Sequence, residues 1–361
     1  MTVASEAPAV AEIRQRIRAA AADARPLCIR GAGTKDFYGQ SSVGEPLDVT
    51  PMRGIVAYAP GELVITARAG TPLVELDDAL TAHNQMLAFE PPRHGVGATL
   101  GGVVATGFSG PRRAQAGAVR DFVLGVRIID GAGEALGFGG QVIKNVAGFD
   151  VSRLMVGALG TLGVLTEISL KTLPRPRAEA TRVVDCGGAD ALRLVNAWGG
   201  KPLPVSATCH LRDRLWVRLS GAPAAIASAI PVIGGAEADG DAFWRSVRDH
   251  THPAFARSND DEALWRLSVR STAPWTDFGD GQVVEWGGAL RWVATRGPSV
   301  PATLRTWAPQ HGGHATLYRG PDKAVGAFQP LPPATLGLHR RLKDVFDPKR
   351  VLNRGRLFDA F

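Results

Sequence analysis

Three segments decide the fold of this chain: GVGATLGGVVATGFSG (95–110), AVRDFVLGVRIIDGAGE (118–134) and KNVAGFDVSRLMVGALGTLGV (144–164). Seventeen of the 43 glycines lie between residues 95 and 163. Glycine is used where a backbone must approach a ligand closely or adopt angles that a Cβ forbids. Because runs of Val, Ile and Leu separate these glycines, the pattern indicates a phosphate-cradling site inside a folded α/β domain and not a flexible tether.

Composition and charge narrow the class of protein. The 361 residues are enough for two domains, each with its own core. Hydrophobic residues make up 45% and charged residues 21%, which is typical of a globular protein and excludes a disordered chain. The net charge of +7 is dispersed, apart from short groups such as Arg112-Arg113 and the segment 343–356. Nucleic-acid binders cluster basic residues with aromatic ones, so the pattern favours small anionic ligands and no nucleic acid.

Cysteine usage and hydropathy indicate the compartment. Cys28, Cys186 and Cys209 are far apart and show no CxxC spacing, so the sequence predicts neither an iron–sulfur cluster nor a zinc site within this chain. This usage fits a reducing, cytoplasmic environment. The N-terminus lacks the pattern of a secretory signal. Two long uncharged runs, 94–111 and 219–236, are interrupted by Gly, Pro or polar residues, so we expect no direct membrane insertion.

Local patterns divide the chain into a first domain, 1–174, a second domain, 175–330, and a C-terminal segment, 331–361, that returns to the first domain. The first boundary is placed at Pro174-Arg175-Pro176-Arg177, after which glycine density falls and most of the tryptophans occur. In the first domain we predict a helix over 11–24, strands at 27–30, 54–59, 63–68, 122–130 and 164–172, a hairpin turn at 131–133, and short helices opening at Thr71 and Asp150. In the second domain, helical and strand patterns alternate.

The segment RGAGTK, residues 30–35, follows a predicted strand and has the composition of a phosphate-binding loop. Its successive backbone N–H groups can form a nest for an anion. The segment is not GxxxxGK[ST], which disfavours a P-loop ATPase, and no GxGxxG stands between a strand and a helix, which disfavours a Rossmann dinucleotide site. A simple tight turn is the alternative interpretation.

The segment ATLGGVVATGFSG, residues 98–110, carries the stronger signal. Its small residues would let backbone amides approach a diphosphate from the side opposite the 30–35 loop, and Thr99, Thr106 and Ser109 would supply hydroxyl groups. A helix that packs closely through its glycines is the alternative. Together the two segments predict a site for a large phosphorylated cofactor.

Five motifs in a fixed order resemble the FAD-binding domain shared by vanillyl-alcohol-oxidase-type and p-cresol-methylhydroxylase-type (PCMH-type) flavoproteins. They are RGAGTK (30–35), TLGGVVATGFSG (99–110), GAVRDFVLGVRIIDGAGE (117–134), KNVAGFDVSRLMVGALGTLGVLTEISL (144–170) and DPKRVLNRGR (347–356). The resemblance implies an α+β, two-domain PCMH-type FAD-binding fold with a smaller α+β cap domain. It also implies FAD as the cofactor.

The same resemblance implies which residues bind FAD. The 30–35 loop would hold the diphosphate, the 99–110 segment would form the opposing wall, Gly163 and Val164 would border the adenine, and Asn353 would reach the flavin ring. Covalent members of the family carry a histidine or cysteine beside the flavin, whereas the loop here has Thr34-Lys35, so non-covalent FAD is expected. The full implied set is Arg30, Gly31, Ala32, Gly33, Thr34, Lys35, Gly39, Pro91, Ala98, Thr99, Gly101, Gly102, Thr106, Gly107, Gly110, Arg120, Asp121, Gly163, Val164 and Asn353.

Within this family the chain resembles the E subunits of bacterial glycolate oxidases, through KNVAGFD (144–150), EWGGALRW (285–292) and GGHATLYRG (312–320). That resemblance implies a complex in which a longer flavin-binding subunit and an iron–sulfur subunit accompany this chain. The complex would oxidise glycolate, or a related small 2-hydroxy acid, to the 2-oxo acid and pass electrons to a quinone. The chain would be cytoplasmic, and peripheral to the inner membrane only through a partner.

Two residues depart from the pattern of the family. Phe149 stands where many relatives have tyrosine, which removes a hydroxyl group, and Arg354 replaces the usual proline after Asn353. Relatives that oxidise 2-hydroxy acids also carry HxGDGNxH, a metal-holding motif. The nearest stretch here, HGGHA at 311–315, keeps two histidines and loses the acidic and amide groups, so no metal site is predicted.

The candidate catalytic residues are His314, His311 and Arg291. A neutral histidine can accept a proton, and an arginine can bind a carboxylate through two parallel hydrogen bonds. The alternative is that both histidines are structural and that Arg291 is an ordinary charge on a strand. For the whole chain, the alternatives are an electron-relay or scaffold subunit and a stand-alone FAD-dependent oxidoreductase of the same superfamily.

Overall fold

The computed structural model describes residues 8–140, 149–256, 262–279, 281–296 and 300–359. The KNVAG part of the fourth motif, 144–148, lies outside these ranges. Helices and sheets are mixed along the chain, which confirms the predicted α+β class. The helices are α1 (Pro8–Ala22), α2 (Leu73–Thr81), α3 (Leu100–Thr106), α4 (Arg113–Ala116), α5 (Val119–Phe122), α6 (Val151–Leu154), α7 (Gly188–Gly199), α8 (Pro223–Ile233), α9 (Asp241–Arg248), α10 (Val300–Gln310) and α11 (Pro333–Phe346).

The strands form two large sheets and two small ones. They are β1 (Leu27–Arg30), β2 (Glu45–Asp48), β3 (Ile55–Ala59), β4 (Val64–Arg68), β5 (Gln85–Met86), β6 (Val123–Ile129), β7 (Ala135–Gly139), β8 (Val164–Lys171), β9 (Leu173–Pro174), β10 (Ala178–Asp185), β11 (Val205–Leu211), β12 (Arg214–Gly221), β13 (Ala236–Ala238), β14 (Ala263–Ser268), β15 (Val283–Glu285), β16 (Leu290–Thr295) and β17 (His314–Arg319). No helix of the described ranges has the length and apolar character needed to cross a membrane.

Helix α1 begins at Pro8, three residues before the predicted start, since proline is tolerated in a first helical turn. Ile13, Ile17 and Ala20 recur at helical spacing and are buried. They pack with Leu27 of β1 and with Val351 near the C-terminus. The two ends of the chain therefore share one hydrophobic cluster.

The first large sheet has the strand order β3-β4-β8-β6-β7, and every neighbouring pair is antiparallel. Strand β8 lies in the middle, and six of its eight residues are buried, because both of its faces are covered. The predicted hairpin between β6 and β7 is confirmed: Asp130 Oδ1 accepts hydrogen bonds from the N–H groups of Ala132 (2.9 Å) and Glu134 (2.8 Å). Helices α2 and α3 complete the core of this domain.

The second large sheet has the order β13-β10-β12-β11-β15-β16-β14-β17 and is antiparallel throughout. One of its faces packs against α10 through residues such as Trp265 and Leu317. Residues on the other face, Trp292 and Tyr318 among them, join a cluster with Tyr38 of the first domain. The sheet therefore has two covered faces. The face that carries Trp292 and Tyr318 packs against the first domain near Tyr38, and the opposite face packs against α10.

The observed elements agree with the predicted domain division, which we retain as a proposal. Strand β9 still pairs with β5 of the first domain, whereas β10, four residues later, opens the second sheet. The second sheet ends with β17, and α11 leads the chain back. There, Leu27 donates its N–H to Val351 O (2.6 Å) and Asn353 donates its N–H to Leu27 O (2.9 Å).

Candidate functional site

A cleft opens where β1 ends and the 30–35 loop turns toward α3. Its walls are the loop, the first turns of α3, the segment 159–165 and the C-terminal segment. The predicted cofactor residues that line it are Arg30, Gly31, Ala32, Gly33, Thr34, Lys35, Thr99, Gly101, Gly102, Thr106, Gly163 and Asn353. Residues separated by more than 300 positions in sequence thus meet in one site.

The glycines of the loop leave space that any side chain would fill. A Cβ on Gly31 would lie 2.8 Å from Thr99 Oγ1, so the loop backbone lies close against the side chain that caps α3. Gly33 has φ +73°, a left-handed conformation that favours glycine. Its own Cβ position lies 2.5 Å from the Arg30 guanidinium. The two glycines therefore leave room beside the loop that a side chain would fill, and the anion nest stays a prediction.

Lys35 brings a buried positive charge to the loop. Its side chain is 7% exposed, and Nζ lies 3.2 Å from Thr34 Oγ1 and 3.5 Å from Arg93 O. Burial lowers the pKa of the Lys35 ammonium to about 8, although the nearby Asp249 raises it. A bound diphosphate would supply the negative charge that this ammonium lacks within the protein.

Helix α3 has features of both interpretations of the 98–110 segment, the cofactor wall and the closely packed helix. Thr99 caps the helix, since its Oγ1 accepts the Gly102 N–H at 3.2 Å, and Thr106 Oγ1 donates to Gly102 O at 2.8 Å. A Cβ on Gly101 would lie 2.9 Å from the carbonyl oxygen of Ala69, so this glycine is also required for close packing against the end of β4. The cleft wall is thus a tightly packed helix whose small residues face the site.

Asn353 lines the cleft as a clamp between distant segments. Its Oδ1 accepts the Ile29 N–H at 2.6 Å, and its Nδ2 donates to Leu159 O at 2.6 Å. Its φ of +43° is an uncommon left-handed value for a residue other than glycine. Because both ends of the amide group are committed to the backbone, the structure gives Asn353 a positioning role and does not support the predicted reach to the flavin ring.

The remaining predicted cofactor residues do not line the cleft: Gly39, Pro91, Ala98, Gly107, Gly110, Arg120, Asp121 and Val164. Val164 is fully buried in the core, and Asp121 Oδ2 accepts the Ala118 N–H at 2.8 Å to cap α5. Gly110 accepts a hydrogen bond from Trp286 Nε1 at 3.0 Å, so it joins the two domains. The structure therefore gives these residues packing and capping contacts around the site.

The structure also shows where Ser109 and the two departures from the family pattern, Phe149 and Arg354, lie relative to the cleft. Ser109 was predicted to supply a hydroxyl group, but its Oγ accepts the Val119 N–H at 3.0 Å, outside the cleft. Phe149, the replacement for tyrosine, is 97% exposed, and Arg354 is also exposed. Arg356, which was not predicted, lines the cleft and donates to Gln40 O at 3.0 Å.

Arg291 and His311 lie on the helix-covered face of the second sheet, away from the cleft. Arg291 is fully buried, and its guanidinium donates to Ala273 O (2.6 Å) and Pro274 O (2.7 Å). The His311 ring stacks on Trp307 at 4.1 Å, and its Nδ1 lies 2.8 Å from Trp307 O. Both side chains are thus engaged in structural contacts, which corrects the predicted carboxylate clamp at Arg291 and the predicted chemistry at His311. The sequence could not reveal these contacts, because they depend on which face of the sheet is covered by α10.

His314 lies on the other face, toward the first domain. It pairs across the ladder with Ser268 and borders a pocket of about 520 Å³ between the second sheet, the segment 154–162 and the C-terminal segment. Burial and the charges of Arg266 and Arg113 lower the pKa of the His314 imidazole below its usual value. The neutral form, which can accept a proton, is therefore the favoured one.

The pocket and the cleft adjoin each other. The segment from Val156 to Gly163 passes from one to the other: Gly157 and Ala158 border the pocket, whereas Leu159 and Gly160 border the cleft. Most of the pocket wall is apolar, with Arg266, His314 and Thr316 as polar groups on the sheet. Such a wall is typical of a small-molecule site.

Sequence reasoning missed several functional candidates on this same face. Arg266 lies at the pocket, and Glu285 is a fully buried carboxyl group that accepts a hydrogen bond from Trp292 Nε1 at 2.8 Å. Tyr318 Oη lies 2.8 Å from His94 Nε2. Glu285 lies in the quoted motif 285–292 and Tyr318 in the motif 312–320, so these motifs could have identified both residues as candidates. Arg266 had none, because its strand reads ALWRLS without clear alternation.

Comparisons with known proteins agree with this geometry. Residues 5–139 match the family described as FAD binding domain. The chain is 45% identical over 344 residues to glycolate oxidase subunit GlcE of Escherichia coli (strain K12), covering 95% of this chain and 96% of that protein. It is 30% identical to D-lactate dehydrogenase of Anaerostipes hadrus and 31% identical to glycolate oxidase subunit GlcD of Bacillus subtilis (strain 168), over only 38% and 33% of their lengths.

Among solved structures, an alkyldihydroxyacetonephosphate synthase matches 95% of the chain and 74% of its own chain with a TM-score of 0.64. At 15% sequence identity this likeness concerns the fold, and it confirms the expected PCMH-type architecture. The FAD binding match lies on the domain that forms the cleft, which confirms FAD as the cofactor. Because a relative nearly half identical spans almost the whole chain, this protein belongs to the family of glycolate oxidase subunit GlcE.

Proposed function

We propose that this chain is the FAD-binding subunit of a complex that oxidises glycolate, or a related small 2-hydroxy acid, to the 2-oxo acid. The observation that carries the proposal is the 45% identity to a glycolate oxidase subunit along nearly the full length of both chains. The cleft supports it, because the residues present suit a dinucleotide diphosphate: a glycine cradle that a Cβ would fill and a buried lysine that lacks a full counter-charge.

FAD, when bound, supplies the hydride acceptor for this chemistry. The 30–35 loop holds the diphosphate through its backbone N–H groups, and Lys35 adds charge. His314, held neutral by burial and nearby cations, accepts the proton of the substrate hydroxyl group. Since the loop carries Thr34-Lys35 and neither histidine nor cysteine, the FAD is dissociable.

The proposed partners are a longer flavin-binding subunit and an iron–sulfur subunit that passes electrons to a quinone. Supporting this, two of the relatives are themselves named as subunits of glycolate oxidase. In this arrangement the chain is cytoplasmic and contacts the inner membrane only through a partner.

A second candidate function is an electron-relay or scaffold subunit whose flavin never meets substrate. The observation that favours it lies at 311–315, where HGGHA lacks acidic and amide groups and where His311 stacks on Trp307 behind the sheet. In that case the substrate would be oxidised on a partner subunit.

Anaerobic reduction of the flavin tests the proposal. The purified chain is loaded with FAD and mixed with glycolate and then with D-lactate, while the visible absorption of the flavin is followed. We expect bleaching, with a rate that falls at least tenfold in His314→Gln and is unchanged in the control His83→Gln, an exposed residue of the first domain. Oxidised flavin that persists with the chain alone but bleaches when the longer subunit is added would establish the relay function. A chain that retains no FAD would refute both.

A further inference from the structure

We propose that Arg266, reinforced by Arg113, binds the carboxylate of the 2-hydroxy acid in the pocket between the second sheet and the first domain. The inference rests on the proposed function and names the residues that recognise the substrate. It replaces Arg291, whose guanidinium is bound to backbone carbonyl groups.

The register of the sheet places Arg266 beside the proton acceptor. Arg266 pairs with Thr316 on β17, and the next pair along the same ladder on this face is Ser268 with His314. Residues two apart on a strand share a face, so the Arg266 and His314 side chains project into the same pocket. A carboxylate bound at Arg266 would therefore bring the adjacent hydroxyl group of a 2-hydroxy acid toward His314.

A second cation, Arg113 of the first domain, lies near Arg266, beside the pocket and outside its lining. The Arg113 guanidinium carbon lies 4.2 Å from the centroid of the Trp286 ring, and that of Arg266 lies 5.3 Å from the same ring. The side chain of Trp286 in turn donates to Gly110 O, so this indole joins the two domains beside Arg266. Burial, and after it the charge of Arg266, lower the pKa of the Arg113 guanidinium to about 10.

No described residue compensates these two charges by direct contact. Among the parts of the chain that the structure describes, neither guanidinium forms an ion pair or a hydrogen bond, whereas the neighbouring Arg112 is paired with both Glu90 and Glu179. An arginine without an acceptor beside a pocket is a ready site for an anion.

The nearest carboxyl group on the sheet does not remove this charge. Glu285 is fully buried, and burial raises its pKa to about 8 despite the hydrogen bond from Trp292 and the charge of Arg266. At neutral pH this group is largely protonated. Asp121, whose charge raises the pKa of Arg113, accepts the Ala118 N–H and does not line the pocket. Among the described residues that line the pocket there is no Asp or Glu, whereas Arg266 is present.

The remaining wall sets the size and character of the ligand. Leu154, Val156, Leu162 and Phe328 line it with apolar surface, and Thr316 is the polar neighbour of Arg266. One cationic group on a mostly apolar wall suits a small carboxylate ligand. A guanidinium binds such a carboxylate through two parallel hydrogen bonds, which also fixes its orientation.

Binding of oxalate, a glycolate analogue that the flavin does not oxidise, tests the assignment. Oxalate is titrated into the FAD-loaded full chain, and the dissociation constant is read from the flavin difference spectrum and, independently, by calorimetry. We expect Arg266→Gln to weaken oxalate binding at least tenfold and Arg113→Gln to weaken it several-fold. The matched control is Arg193→Gln, an exposed cap-domain arginine on α7. It should bind oxalate as the wild type does.

The outcomes separate this inference from the proposed function. An Arg266→Gln chain that holds FAD and binds oxalate with wild-type affinity would overturn the assignment, as would a wild-type chain that holds FAD and gives no oxalate signal by either method. If Arg266→Gln fails to fold, Arg266→Lys carries the test, because it keeps the charge but loses the paired hydrogen bonds, and should still bind oxalate more weakly. A chain that does not hold FAD would overturn the proposed function. Calorimetry would still measure whether oxalate binds at Arg266 in that chain.

Discussion

Replacing Lys343 by methionine should detach the C-terminal segment and thereby weaken FAD binding. Lys343 Nζ donates to Asp347 Oδ2 (2.6 Å), Thr161 O (2.7 Å) and Leu352 O (2.8 Å). Both charged side chains are 0% exposed. Asp347 in turn accepts the N–H groups of Val351 (3.0 Å) and Leu352 (2.8 Å), so the pair closes the turn that leads to Asn353.

The magnitude follows from the burial. Removing one partner of a buried ion pair leaves the other charge uncompensated and costs about 3–5 kcal/mol. Lys343→Met should therefore lower the free energy of unfolding by about this amount in urea denaturation followed by circular dichroism. Because Asn353 clamps Ile29 and Leu159 at the cleft, the FAD dissociation constant, measured by flavin fluorescence, should rise at least tenfold.

Arg341→Met provides the control, since Arg341 is exposed on the same helix and its loss should change stability by no more than about 0.5 kcal/mol. The double variant Lys343→Met/Asp347→Asn should lose less than the sum of the two single losses, because it leaves no unpaired charge. A loss below about 1 kcal/mol in Lys343→Met, with unchanged FAD affinity, would show that the pair does not hold the C-terminal segment.

Three further changes have defined outcomes. Gly31→Val places a Cβ 2.8 Å from Thr99 Oγ1, so the loop must shift and FAD affinity should fall at least tenfold; equal affinity would argue against the cradle. Burial raises the pKa of Glu285 from 4.5 to about 8, so the native state retains a proton that the unfolded state releases, and stability should fall as pH rises through that range. The free energy of unfolding should fall by at most about 1.4 kcal/mol per pH unit. Glu285→Gln should reduce this slope in unfolding curves measured between the two pKa values of Glu285, 4.5 and about 8. Arg291→Gln should cost about 1–3 kcal/mol of stability, because two buried carbonyl groups lose their donor, and should leave the FAD dissociation constant within twofold; a selective loss of oxalate binding instead would restore its predicted role.

The FAD domain was largely predictable, because its motifs record local requirements of the backbone. The glycines of the 30–35 loop, the cap of α3 at Thr99 and the hairpin at Asp130 each depend on residues close in sequence. Predicted strands 63–68 and 164–172 differ from β4 and β8 by only one residue at an end. Where the prediction assigned FAD contacts to Val164 and Asp121, the same motif residues instead form the core and a helix cap that keep the site in place.

The candidate catalytic residues were less predictable, because their positions depend on which face of a sheet each strand residue occupies. Arg291 and His314 both belong to motifs, yet they lie on opposite faces of the second sheet. Both faces of this sheet are covered, so hydrophobic residues occur on both sides of its strands and alternation does not mark the inner face. Arg266 could be recognised only after β14 had been placed between β16 and β17.

The residues alone thus predicted the cofactor, which the comparisons confirm, and proposed a domain order and a phosphate cradle from short segments rich in glycine and capping side chains. Long-range packing established the rest. Asn353 contacts Ile29 across 324 positions in sequence, and Arg113 of α4 and Arg266 of β14 both lie near the Trp286 ring only because the two domains pack together. Such contacts produce no recognisable pattern in the sequence. Each depends on how distant parts of the chain pack together and not on the spacing of residues along the chain.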